Sequence, residues 1–152
     1  MTASASEPTE KSPFEVVGGA PVVARFVGRF YDLMETDPAY APLRALHAPD
    51  LGPMRESLTG FFTGWLGGPR DWFVQRPGMC MMSAHAPIPM NADTARQWTQ
   101  AMARALADAG VDPEIAARMN EAFERMAEGM AATAAARRVA RAAEVAPEGV
   151  SG

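Results

Sequence analysis

Apolar side chains recur at three- and four-residue spacing in four separate stretches of this chain, which confines it to packed helices. From Pro21 the stripe is Val22, Val23, Phe26, Val27, Phe30, Tyr31 and Met34, broken before by Gly18-Gly19 and ended by Asp37-Pro38. A second helix takes Asp50 as its expected cap and Pro53 in its first turn. Its face is Met54, Leu58, Phe61, Phe62 and Trp65, and Gly67-Gly68-Pro69 stops it. Four prolines at 69, 77, 87 and 89 leave room only for a short helix between Gly78 and Ala86. A third long helix follows Asn91, with Trp98, Ala101, Met102, Ala105, Leu106 and Ala109 on one face. The fourth opens at Asp112-Pro113 and presents Ile115, Met119, Ala122, Phe123, Met126 and Met130. No apolar-polar alternation runs beyond about four residues, and no hairpin dipeptide occurs, so the expected fold class is all-α.

The ends contribute little to a core. Residues 1–13 are mostly Ser, Thr, Pro and Glu and are expected to form a disordered tail. Residues 131–143 are alanine-rich with Arg137, Arg138 and Arg141, a helical extension with no large apolar stripe, and 144–152 are expected to fray. The packed unit is then residues 14–130. A net charge of −4 argues against nucleic acid as the partner, and no apolar run approaches the ~20 residues of a membrane span. No secretory signal pattern is present, so a cytoplasmic protein is expected. The single cysteine, Cys80, excludes an internal disulfide and any zinc site built on several thiolates.

With only two histidines in the chain, metal chemistry must rest on one or both. His85 ends the short helix, just before Ala-Pro-Ile-Pro, among Met79, Met81, Met82 and Ile88. Residue types alone leave two readings: a partly buried imidazole bonded to a carbonyl, or an axial metal ligand. No multi-ligand motif accompanies it, but haem iron needs just one protein ligand because the macrocycle supplies four nitrogens. Tyr31 and Trp98 sit within apolar stripes, where each polar tip seeks a partner, in the core or in a pocket.

The ordered pieces are more telling. Val-Gly-Gly at 17–19, Arg-Phe-Tyr-Asp-Leu-Met at 29–34, Pro-Leu-Arg-Ala-Leu-His at 42–47 and Pro-Asp-Leu at 49–51 come first. Gly-Trp-Leu-Gly-Gly-Pro at 64–69, His-Ala-Pro at 85–87 and Gln-Trp at 97–98 follow. In this order they resemble the truncated haemoglobins, group II, over nearly the whole packed unit. The resemblance implies a two-over-two helical sandwich around haem b (iron protoporphyrin IX), with His85 as the proximal iron ligand. It matches Tyr31 and Trp98 to distal hydrogen-bond donors and His47 to the edge of the distal pocket. Met54 takes the place facing the iron, as a hydrophobic wall or, exceptionally, a thioether sixth ligand; Leu58 and Phe61 continue that wall. Met82 falls on the proximal face and Trp72 where the family has a tyrosine.

The function implied is binding of oxygen, nitric oxide, carbon monoxide or peroxide at a five-coordinate iron, with release slowed by Trp98 and Tyr31. One alternative uses the same residues, a nitric oxide dioxygenase or peroxidase-like enzyme fed by an outside reductase; the other, a haem-free globin-like interaction module, has the retained His85, Tyr31 and Trp98 against it. A homodimer is compatible with either. Besides Trp72, the chain departs from the pattern it resembles at Gly78-Met-Cys-Met-Met-Ser-Ala-His85, which lacks the two arginines that usually hold haem propionates. Arg55, Arg70 and Arg76 are the substitutes the sequence offers.

Overall fold

The computed structural model describes residues 12–77 and 90–145. Seven α-helices lie within those residues, and no strand does. They are α1 (Pro13–Val17), α2 (Ala20–Thr36), α3 (Ala41–Arg44), α4 (Gly52–Trp65), α5 (Asp71–Gln75), α6 (Ala92–Asp108) and α7 (Pro113–Val145), with a 3₁₀ turn at Pro38–Tyr40. The short helix expected between Gly78 and Ala86 lies outside the described residues.

The four long helices pack as two pairs. Residues 109–112 join α6 to α7, whose mutual contact is the most extensive among the described residues, and α2 packs on both α6 and α4. The rings of Phe62 on α4 and Phe123 on α7 meet across the middle at 5.4 Å. The stripes responsible are those of the sequence: Val23, Phe26, Val27, Phe30 and Met34 are buried on α2, and Ala101, Met102, Ala105 and Leu106 on α6. This is the two-over-two helical sandwich. None of the described helices is long and apolar enough to cross a membrane.

Helix boundaries follow local chemistry. Gly18 and Gly19 take φ of 118° and 76°, a left-handed region closed to most side chains, and so turn the chain from α1 into α2. Asn91 caps α6 in a reciprocal box: its side chain accepts from Thr94 N at 2.9 Å, while Asn91 N donates to Thr94 Oγ1 at 2.9 Å. Asp50 is not the cap of α4, contrary to expectation. Leu51 holds that position in helical φ and ψ, and Asp50 Oδ1 instead accepts from Gly52 N at 2.9 Å, one residue upstream of where a cap would sit. Three short helices, α1, α3 and α5, go beyond the sequence expectation. α1 opens inside the expected tail, where Ser12 Oγ accepts from Glu15 N and Phe14 N donates to Leu66 O at 2.8 Å. α5 folds against the end of α4.

That second contact depends on a missing side chain. A Cβ on Gly64 would lie 2.6 Å from Phe73 Cε2, and the Phe73 ring is held by Phe61 at 5.5 Å and by the Arg70 guanidinium at 4.5 Å. Gly64→Ala is therefore expected to destabilise by about 1–3 kcal/mol through overpacking, outweighing the ~1 kcal/mol of helix propensity it gains. Gly28→Ala is the control, since its Cβ meets nothing nearer than 3.7 Å. Urea midpoints should fall for the first and hold or rise for the second; an unmoved Gly64→Ala midpoint contradicts the packing argument.

Candidate functional site

Tyr31 lies four residues after Val27 on α2, so its ring turns into the sandwich, where it is 5% exposed. The Phe30 ring stands edge-on to it at 4.9 Å and the His47 ring at 6.1 Å. Phe30 also meets the indole of Trp98 on α6 at 6.4 Å, edge-on, and Trp98 rests on Phe123 at 5.6 Å. Tyr31 and Trp98 thus meet on either side of Phe30, and His47 borders Tyr31.

One residue, Leu43, links His47 to the neighbour of Trp98. Leu43 N donates to Gln97 Oε1 at 3.1 Å, and Leu43 O lies 2.9 Å from His47 Nδ1. A carbonyl only accepts, so Nδ1 is the protonated nitrogen. Gln97 precedes Trp98 in the chain; through it, α6 is clamped to α3, which ends three residues before His47.

Tyr31 and Trp98 share an unusual condition. Both residues are buried, yet neither the phenol oxygen nor the indole nitrogen has a hydrogen-bond partner among the described residues. Leaving such groups unpaired in a dry interior costs about 1–3 kcal/mol each, which a site for a polar ligand offsets. Burial raises the Tyr31 pKa well above its usual value, with the Arg55 charge opposing, so the phenol keeps its proton across the physiological range.

The α4 wall is a second group. Leu58 and Phe61 are buried at 8% and 5%, and Met54 is half-buried against the core. Phe61 carries Trp72 edge-on at 5.3 Å. The indole N–H of Trp72 is committed to Ser57 Oγ at 2.9 Å, so toward any cofactor Trp72 offers its ring. Ser57 lies three residues beyond Met54 and four before Phe61, on the same helix face. Thr59 and Thr63 bond back to carbonyls of their own helix at 2.7 Å; Ser57 accepts from Trp72 instead and keeps its hydroxyl hydrogen to donate. Ser57 and Gln97 were missed as functional residues. The helix period could have placed Ser57 on the wall, but nothing local in the sequence signals the Gln97 contact, whose partner is 54 residues away.

The three substitute arginines separate. Arg76 stacks over Trp72 at 5.0 Å and donates to Trp72 O at 3.3 Å, beside the α4 wall. Arg70 covers Phe73 at 4.5 Å. Arg55 is drawn to α2, where it bonds Gly28 O and Asp32. His85 and Met82 lie outside the described residues, and no cluster of three or more His, Cys, Asp or Glu fit to hold a metal occurs among the described ones.

A family model described as bacterial-like globin matches residues 12–132. Among solved structures, the truncated haemoglobin of the Antarctic marine bacterium Pseudoalteromonas haloplanktis TAC125 is 29% identical with a TM-score of 0.75, covering 79% of this chain and 97% of that one. The group II 2-on-2 haemoglobin of Agrobacterium tumefaciens is 27% identical with a TM-score of 0.77, over 82% of this chain and 96% of its own. The haemoglobin of the thermophilic phototroph Chloroflexus aurantiacus is 31% identical at a TM-score of 0.72, over 80% and 98%.

Proposed function

Because the chain belongs to the bacterial-like globin family, as a group II truncated haemoglobin, and is thereby a haem-binding protein, we propose that it retains a diatomic ligand between Trp98 and Tyr31 and releases it slowly. The observation that supports this reading is the pair of buried donors, indole N–H and phenol O–H, that lack acceptors among the described residues and flank Phe30.

When bound, haem would supply an iron able to take and polarise a diatomic ligand such as oxygen, nitric oxide or carbon monoxide. The chain then contributes position and polarity. Trp98 can only donate, and Tyr31 stays protonated by burial, so both direct hydrogen toward the partial negative charge on the ligand. Each neutral hydrogen bond nets about 1 kcal/mol, near fivefold in rate, and together they slow release by roughly one to two orders of magnitude. His47, fixed as an Nδ1–H tautomer by Leu43 O, bounds the pocket beside Tyr31. Met54, Leu58 and Phe61 supply the apolar wall that keeps water from competing for the donors.

The residues fit haem in their donor set. His85 would ligate the iron as neutral imidazole. Ser57, with its spare hydroxyl hydrogen, and the Arg76 cation beside Trp72 would hold the propionate edge in place of the arginines missing before His85. Slow release suits retention or redox use of oxygen better than bulk transport.

The test combines two measurements. The purified protein should show the Soret absorption of haem, and Trp98→Phe should raise the oxygen dissociation rate by about fivefold, the worth of one such bond. An unchanged rate would remove Trp98 from the role.

A further inference from the structure

Arg55 follows Met54 on α4, yet its side chain turns to α2. Nη1 donates to Gly28 O at 3.1 Å, Nη2 to Asp32 Oδ1 at 2.8 Å, and Glu35 Oε1 lies 3.8 Å from that same nitrogen. Gly28, Asp32 and Glu35 stand three before, one after and four after Tyr31, so the guanidinium rests along the turn that carries the phenol. Its central carbon is 5.7 Å from the centre of the Tyr31 ring. Phe30 and His47 take two other sides of the ring, edge-on. Arg55 is therefore the cation of the Tyr31 surroundings among the described residues.

An ion pair this exposed, with the Arg55 side chain at 32% and Asp32 at 55%, adds little to stability. Its geometry does something else. The planar fork spends one arm on a backbone carbonyl and the other on a carboxylate, which fixes where the charge stands relative to the ring. A cation held near an aromatic ring is attracted to its electron density and draws on it, which strengthens the attached O–H as a donor.

We propose that Arg55 is a positioning residue for Tyr31: locked to Gly28 O and Asp32, its guanidinium holds the ring and strengthens the phenol as a donor to the diatomic ligand. The proposal rests on the reading of Tyr31 as a ligand donor, and the experiment separates the two. Oxygen dissociation is measured for the haem-loaded wild type, Arg55→Met, Tyr31→Phe and the double variant. Arg55→Met should raise the rate by about two- to fivefold with Tyr31 present and leave it unchanged in the Tyr31→Phe background. An equal rise in both backgrounds overturns the proposal, because Arg55 then acts through the helix pair and not through the phenol. No effect of Tyr31→Phe alone overturns the reading of Tyr31 as donor, and with it the donor half of the proposal.

A second readout needs no ligand kinetics. The chain has two tyrosines, Tyr31 and Tyr40, so ring carbons labelled at Cζ give two resonances in the carbonmonoxy protein. Tyr40 has its own cation, Arg104, at 5.7 Å and serves as the internal reference. Arg55→Met should move the Tyr31 resonance and leave that of Tyr40, and Arg55→Lys, which keeps the charge but not the fork, should move it less. A Tyr31 resonance unmoved by Arg55→Met overturns the positioning half, whatever the rates show. If Arg55→Met does not fold, Arg55→Lys carries the same comparison with a smaller expected change.

Discussion

His85→Gly should yield a protein that retains little haem and recovers it, with its Soret absorption, when imidazole is added to the buffer. The stretch 78–84 before His85 carries no cation, so charge-assisted hold on the propionates is thin in this chain. On the reading of His85 as the iron ligand, its imidazole would then supply a large part of the retention, beside apolar contact and the proposed Ser57 and Arg76 hold. Added imidazole replaces the lost ligand without restoring the covalent tether, so recovery should depend on its concentration. Haem content and spectrum unchanged by His85→Gly would show that the iron is held elsewhere and would end the assignment.

The largest effect on folding is expected at Phe123. Its side chain is fully buried on α7 and touches the rings of Phe62 at 5.4 Å, Trp65 at 6.1 Å and Trp98 at 5.6 Å. It is the point where the two helix pairs meet. Phe123→Ala removes a ring that three aromatic neighbours cannot jointly replace, and should cost about 3–5 kcal/mol. Against a total stability of about 5–15 kcal/mol that is a large fraction. Urea midpoints at fixed haem saturation measure it, since bound cofactor shifts apparent stability by mass action. Phe123→Leu, nearer in volume, should cost clearly less. Equal losses for the two variants would show that the aromatic contacts, more than the filled volume, hold the pairs together. The oxygen dissociation rate of Phe123→Leu should also rise, because the indole of Trp98 loses the ring on which it rests.

Much of the sandwich is legible because its causes are local. The stripe Val23, Phe26, Val27, Phe30, Met34 repeats at the helical period within a single segment, and Gly18-Gly19 and Asp37-Pro38 bound it by backbone chemistry alone. Asn91 with Thr94 marks the start of α6 in the same way. α1 and α5, with five residues each, are too short to display a period. Each exists because of a neighbour: α1 through Phe14 N on Leu66 O, α5 through Phe73 laid over Gly64. The misplaced cap has a similar origin. Asp50 is the residue type that caps helices, but the chain enters α4 one residue later, with Leu51 already in helical geometry.

The site divides along the same line. Tyr31 and Trp98 are visible from sequence as polar-tipped aromatics on apolar faces, and Met54, Leu58 and Phe61 as one helical stripe, because side-chain direction on a helix follows from register. What the sequence determines by itself is therefore the set of long helices, the faces they bury and the residue types those faces carry inward. Which polar groups are spent and which are left to act was decided only by the tertiary structure. Trp72 gives its N–H to Ser57, Gln97 clamps Leu43, and Arg55 turns from the α4 wall to Tyr31, while the tips of Tyr31 and Trp98 stay without a partner among the described residues. The reason is physical: a helix face is set by neighbours three and four residues away, whereas a hydrogen bond between helices depends on ångström-scale distances fixed only when the whole core has packed.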